Sequence, residues 1–134
     1  MYPHAYEESA LVDNMTTLLG ALANPARLRL VRLLLREELC VCELVDALRT
    51  PQYNVSRHLG RLRGVGLVEA RRNGRWMYYS IGRRVGLSGF HQDLLKVIDV
   101  HLDAKSAARK DDARLSRRLA LRQGGRCVVG KTCC

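Results

Sequence analysis

The stretch that decides the fold is PQYNVSRHLGRLRGVGLVEARRNGRWMYYSI, residues 51–81. In its first half, Val55, Leu59 and Leu62 recur at a spacing that places them on one side of a helix over about 52–65. The other side shows Asn54, Ser56, Arg57, His58 and Arg61. Gly66 closes that pattern, and the periodicity changes. Residues 67–81 read as two β-strands around Asn73-Gly74, a dipeptide suited to a tight hairpin because such turns require positive φ. The aromatic and β-branched residues of 76–81 suit the second strand.

Working upstream, RTPQ at 49–52 breaks the chain, with Thr50 placed to cap the next helix and Pro51 to enter its first turn. A short helix is expected over 41–48. Before it, Asn24 can cap and Pro25 suits a first helical position, starting a helix over 26–36 with Leu28, Val31, Leu34 and Leu35 inward. Residues 8–22 align Leu11, Met15, Leu18 and Leu22, with Leu19 widening the stripe. Downstream, 86–105 aligns Phe90, Leu94, Ile98 and Leu102. Two short helices joined by a tight turn and followed by a hairpin make a winged helix-turn-helix, mainly α with a β-hairpin wing. The first and last of these helices have apolar faces wider than a lone small domain needs, so a homodimer is expected. Residues 1–104 form the expected domain. Residues 105–134 read as a basic, cysteine-containing tail, where apolar residues thin out and Gly124-Gly125 breaks any helix.

The chain of 134 residues carries 23 Lys and Arg against 13 Asp and Glu. The excess is concentrated. Residues 49–75 hold seven Arg and one acid, and 105–134 hold nine Lys or Arg and two Asp, whereas the first 26 residues have no Lys or Arg. In a winged helix-turn-helix the second helix of the pair lies in the major groove. Gln52, Tyr53, Asn54, Ser56, Arg57 and His58 occupy its leading half. Gln and Asn suit adenine and Arg suits guanine, while Arg61 suits a phosphate. Arg71, Arg72 and Arg75 flank the hairpin tip as a basic wing for the duplex backbone. A solvated polar surface is the plain alternative; the basic wing beside the polar helix favours double-stranded DNA. No apolar run is long enough to span a bilayer, and the N-terminus MYPHAYEES has neither the basic nor the apolar region of a signal peptide. A cytoplasmic location with reduced thiols is therefore expected, and no membrane partner. An odd count of five cysteines also argues against a disulfide framework.

The cysteines carry the remaining chemistry. ELCVCELV, residues 38–45, holds Cys40 and Cys42; Cys127, Cys133 and Cys134 stand at the far end. A lone cysteine is commonly a small buried hydrophobe. A Cys-x-Cys pair backed by three more suggests a soft, thiophilic ion. At a helix start, the dipole favours the thiolate. Residues i and i+2 of an ideal helix point about 200° apart, so one ion held by both requires that turn to unwind. Binding would then distort the helix directly before the one that reads DNA.

With these residues in view, the sequence resembles the ArsR/SmtB family of bacterial metal-sensing repressors over roughly residues 10–105. ALANPARLRLVRLL (21–34) is similar to its second-helix signature and ELCVCEL (38–44) to its arsenical-sensor box. Residues 51–68 and 71–81 are similar to its recognition helix and wing. The resemblance implies a homodimer that represses an arsenic-resistance operon and leaves its operator when As(III) or Sb(III), the inducer, binds cysteine thiolates. Cys40 and Cys42 match the first two ligands. The third falls at Val45, which has no donor, so Cys127, Cys133 or Cys134 is expected to complete the site. The zinc-sensing pattern is matched by Asp99 and His101, but its second half falls at Asp112 and Leu115, and Leu115 breaks it. Cd(II), Pb(II) or Zn(II) sensing, or thiol oxidation, are the alternatives within the same fold. A thiol-dependent reductase acting through Cys133-Cys134 is the rival from another class. With no nucleophile–base pair and no cofactor loop, no enzyme and no catalytic cofactor are expected.

Overall fold

The computed structural model describes residues 3–82, 89–102 and 106–129. Its elements run α1 (Pro3–Leu22), α2 (Pro25–Arg36), β1 (Leu39–Cys40), α3 (Val41–Leu48), α4 (Gln52–Gly64), β2 (Val68–Asn73), β3 (Trp76–Ile81), α5 (Gly89–Leu102) and α6 (Ser106–Leu119). This is a winged helix-turn-helix: α3 and α4 are the helical pair, and β2–β3 is the wing. None of the described helices is long and apolar enough to cross a membrane.

Local chemistry sets the helix starts. The Asn24 side-chain oxygen accepts the Arg27 N–H at 3.1 Å, and Pro25 occupies the first turn of α2, as expected. The start of α4 differs from expectation. Pro51, not Thr50, is its N-cap residue, and the Pro51 carbonyl accepts from Asn54 N–H at 3.0 Å and Val55 N–H at 3.1 Å. Thr50 lies one residue too early, and its hydroxyl donates back to the Leu48 carbonyl at 3.2 Å. The turn is made at Arg49, held left-handed at φ 50° as α3 ends. Past α4, Gly66 takes φ 77° and donates to the Arg63 carbonyl at 3.0 Å, a conformation that costs a glycine little.

The core forms where the apolar stripes meet. Val55, Leu59 and Leu62 of α4 are completely buried with Leu30, Leu33 and Leu44. Each such side chain contributes about 1.5–3 kcal/mol by leaving water. The hairpin pairs Val68 with Ile81 through to Asn73 with Trp76, and Gly74 supplies the positive φ of the turn. One strand escaped the sequence reading. β1 pairs antiparallel with β3, Leu39 opposite Tyr79 and Cys40 opposite Tyr78, giving a sheet ordered β1-β3-β2. Two residues are too few to show alternation.

The segment read as a tail is largely structured and packs on α3. The buried positions of α6 are Ala108, Asp111, Leu115 and Arg118, a helical stripe in which charges take half the places. Asp111 accepts from Arg29 at 2.9 and 2.7 Å and from Arg114 at 2.7 Å. Asp112 holds Arg32 of α2 through two bonds of 2.8 and 2.6 Å. Opposite charge, more than apolar surface, docks this helix.

Candidate functional site

The recognition face comes first along the chain. Gln52, Tyr53, Ser56, Arg57 and Arg61 of α4 are exposed and Asn54 is half-buried. Tyr53 is 74 % exposed, with the Arg57 guanidinium 5.9 Å from its ring centre. Arg72 and Arg75 stand exposed on the wing, Arg75 stacked 4.9 Å over Trp76. His58 departs from expectation. It is only 7 % exposed, falls on the inward stripe with Val55, Leu59 and Leu62, and its Nδ1 lies 3.3 Å from an Arg27 guanidinium nitrogen. Burial, then Arg27 and Arg57, hold its pKa below the ordinary histidine value, which favours the neutral ring. Arg71 is also engaged: it grips Glu38 at 2.8–3.0 Å through Nε and lies 4.9 Å over the Tyr78 ring. It ties the wing to the strand that leads into Cys40.

The second constellation is at the start of α3. Cys40 is the N-cap residue, in extended conformation at φ −88°, ψ 166°, and Cys42 lies one turn position inside. The 200° separation expected of two helical residues therefore does not apply, because Cys40 belongs to the strand. Cys40, Cys42, Tyr78 and Cys127 form one buried cluster, with Trp76 against it. The ligand atoms of Cys40, Glu43 and Cys127 all lie within 4.8 Å of one another, and all three residues are buried. Cys40 and Cys127 are free thiols, whereas Cys42 is disulfide-bonded. Cys133 and Cys134 lie outside the described residues.

What brings Cys127 here is a reversal of the chain. Gly124 and Gly125 adopt φ 62° and 74°, and Gln123 and Arg126 exchange backbone bonds of 3.0 and 3.1 Å. The Gly-Gly pair read as a helix breaker is thus a tight turn that returns the chain to α3. The Tyr78 hydroxyl then accepts the Cys127 N–H at 2.8 Å, and the Cys127 thiol donates to the Val129 carbonyl at 3.3 Å. Burial, followed by Cys40 and Glu43, pushes the Cys127 thiol up to about 11, so it is protonated at neutral pH.

Glu43 joins this site to the rest of the molecule. One carboxylate oxygen accepts the Cys40 N–H at 3.0 Å, as in a capping box. Arg122 grips the same carboxylate at 2.6 and 2.7 Å and also donates to the Glu38 carbonyl at 2.9 Å. This arginine–carboxylate fork was not legible in the sequence, since Glu43 and Arg122 stand 79 residues apart. The zinc-type alternative fares differently. Asp99 and His101 are exposed on α5, Asp112 is committed to Arg32, and Leu115 is buried.

Comparison with known proteins places these features. Residues 24–70 match the family model described as bacterial regulatory protein, arsR family. The arsenic resistance transcriptional regulator ArsR2 of Pseudomonas putida is 37 % identical over 97 residues, covering 72 % of this chain and 76 % of that protein. The regulator ArsR1 of the same organism is 49 % identical over 61 residues, 45 % of this chain. The alignments with ArsR1 and with a Synechocystis SmtB homolog span only about half of those relatives, 48 % and 52 %. Among solved structures, the homodimeric winged helix-turn-helix domain Mb0332 of Mycobacterium bovis superposes with a TM-score of 0.62. It is 31 % identical and covers 79 % of this chain and 97 % of its own. Reduced HlyU of Vibrio cholerae gives 0.62 at 29 % identity, covering 74 % of this chain and 98 % of its own. ArsR1, ArsR2, the SmtB homolog and Mb0332 are named as regulators or repressors of transcription. With this recognition helix, wing and sequence match together, the chain belongs to the arsR family of bacterial regulatory proteins.

Proposed function

We propose that the chain is a dimeric, DNA-binding transcriptional repressor released from its operator by trivalent arsenic or antimony, with Cys40 and Cys127 as ligands. The observation that carries this reading is the convergence of Cys40, Cys127 and Glu43 at the N-cap of α3, the helix that leads into the recognition helix. The relatives named for arsenic resistance support the choice of ion. The exposed Val12 and Leu19 of α1 and Val97 and Val100 of α5 supply apolar area for a homodimer.

The chemistry suits a hydroxylated arsenic(III). Each bound thiol loses its proton and displaces one hydroxide from arsenic, and the two leave together as water. A buried, protonated Cys127 is no obstacle to that exchange. A divalent cation such as Cd(II) or Pb(II) must instead expel the thiol proton, so its affinity should rise about tenfold per pH unit from Cys127 alone. Cys42 completes a three-sulfur site once its disulfide is reduced. Loading Cys40 alters the residue that caps α3 and the carboxylate that Arg122 holds. Release follows only if the ion favours the conformer with lower DNA affinity; a useful sensor needs a factor of about 10–100, or roughly 1–3 kcal/mol.

The test is fluorescence anisotropy of labelled operator DNA with reduced protein, comparing arsenite, antimonite, Cd(II), Pb(II) and Zn(II). Cys40→Ser and Cys127→Ser are expected to keep DNA affinity and lose arsenite release. Full arsenite release by both variants contradicts the assignment. One observation favours a second reading: Cys42 is in a disulfide. A repressor controlled by thiol oxidation would show peroxide-triggered release that arsenite does not reproduce.

A further inference from the structure

A second charged site lies where α3, the turn after it and α6 meet. A pocket of about 280 Å³ is lined by Asp46, Arg49, Arg114, Arg117, Arg118 and Leu121. Four guanidinium groups thus face one carboxylate, and that carboxylate is already taken: Asp46 lies 2.7 Å from Arg118 Nε. Arg114 is spent in part on the Ala47 carbonyl at 2.6 Å and on Asp111. Arg49 and Arg117 are exposed and make no ion pair among the described residues. Arg118 is only 4 % exposed, yet its NH1 nitrogen has no hydrogen-bond partner among the described residues. A buried guanidinium with an unmade hydrogen bond is costly unless a ligand completes it.

We infer that this pocket binds a phosphate of the operator backbone, in addition to the contacts of the recognition helix and wing. A guanidinium fork matches the paired oxygens of a phosphodiester; Arg49 and Arg117 each offer one, and Arg118 adds the N–H groups of its NH1 nitrogen. The position fits as well. Arg49 is the left-handed residue that ends α3, three residues before Gln52 opens the recognition helix. The pocket therefore includes the turn that leads into α4, whose first residues face base edges in this fold. Arg118 also reaches the Cys127 sulfur at 3.7 Å, so the phosphate contact and the thiol cluster share one side chain. This inference rests on the reading of the chain as a DNA-binding protein.

The experiment measures operator and scrambled-duplex affinity across salt concentrations for the full chain, the double variant Arg49→Ala/Arg117→Ala, and Arg57→Ala. Both substituted pocket residues are exposed, so the melting temperature is expected to stay at the wild-type value. The double variant is expected to bind both duplexes several-fold more weakly. The slope of log affinity against log salt should shrink by about one, the contribution of one phosphate, and the operator preference should be unchanged. Arg57→Ala should instead lower the preference. An unchanged slope in a double variant with wild-type melting overturns the pocket assignment. Calorimetric titration with inorganic phosphate separates the sources. Submillimolar phosphate binding that the double variant loses, alongside an unchanged DNA slope, makes this a free-anion site and also overturns the assignment. No DNA binding by the wild-type chain overturns both this inference and the repressor reading.

Discussion

Helices α4 and α6 both pack on α3, and they are held there by different forces. α4 inserts Val55, Leu59 and Leu62, all fully buried, into the common core. α6 brings Asp111 and Arg118 alongside Ala108 and Leu115; Arg29 and Arg32 of α2 grip its Asp111 and Asp112, and its own Arg114 and Arg118 reach the Ala47 carbonyl and Asp46 of α3. Apolar attachment is non-directional and indifferent to pH. Ion-pair attachment is directional, and removing one partner strands the other. The helix that carries the proposed recognition face is thus fixed by burial. The helix that leads to Cys127 is fixed by charge, in a form that pH and salt can loosen.

The largest effect should come from the apolar side. Leu59→Ala is expected to lower global stability by about 2–5 kcal/mol in urea unfolding, because the cavity opens in the shared core. A loss confined to α4 would break the contrast. Next is Asp111→Asn, which leaves Arg29 and Arg114 without their carboxylate. Arg29 is partly exposed, so the cost should be nearer about 2 kcal/mol than the value for a fully buried pair. Hydrogen exchange should show protection lost over 106–119 while 52–64 stays protected. Equal loss in both helices would mean that α6 is part of the core unit. The smallest effect is acid. Arg32 holds the Asp112 carboxyl below its ordinary value, so the pair contributes stability above the unfolded carboxylate pKa and loses it as pH falls through the folded one. Protection of α6 should therefore decline below about pH 4, before α4 responds. Simultaneous loss would count against a separate ionic attachment.

The same contrast explains what the sequence made legible. The α4 stripe and the Asn73-Gly74 hairpin stand out because their positions are written in residue types that only burial or positive φ selects. His58 was misplaced on the DNA face because its chemistry suits base edges; its spacing from Val55 by three marks the inward stripe. α6 was read as part of a basic tail because periodicity counts apolar residues and half of its buried stripe is charged. A signal was available in Arg29 and Arg32, two of the four arginines interleaved with the apolar residues of α2, which implied acids elsewhere. Cys40 was recognisable as a candidate ligand from Cys-x-Cys spacing. Its approach to Cys127 was not, since it depends on α6 docking, the Gly124-Gly125 turn and the Tyr78 hydroxyl, each of them long-range.

The most direct test of the central claim is arsenic X-ray absorption of reduced, arsenite-loaded protein, wild type against Cys127→Ser. If Cys127 is a ligand beside Cys40, the variant loses one sulfur from the arsenic shell and gains an oxygen. An identical sulfur shell in the two proteins would contradict the assignment of Cys127.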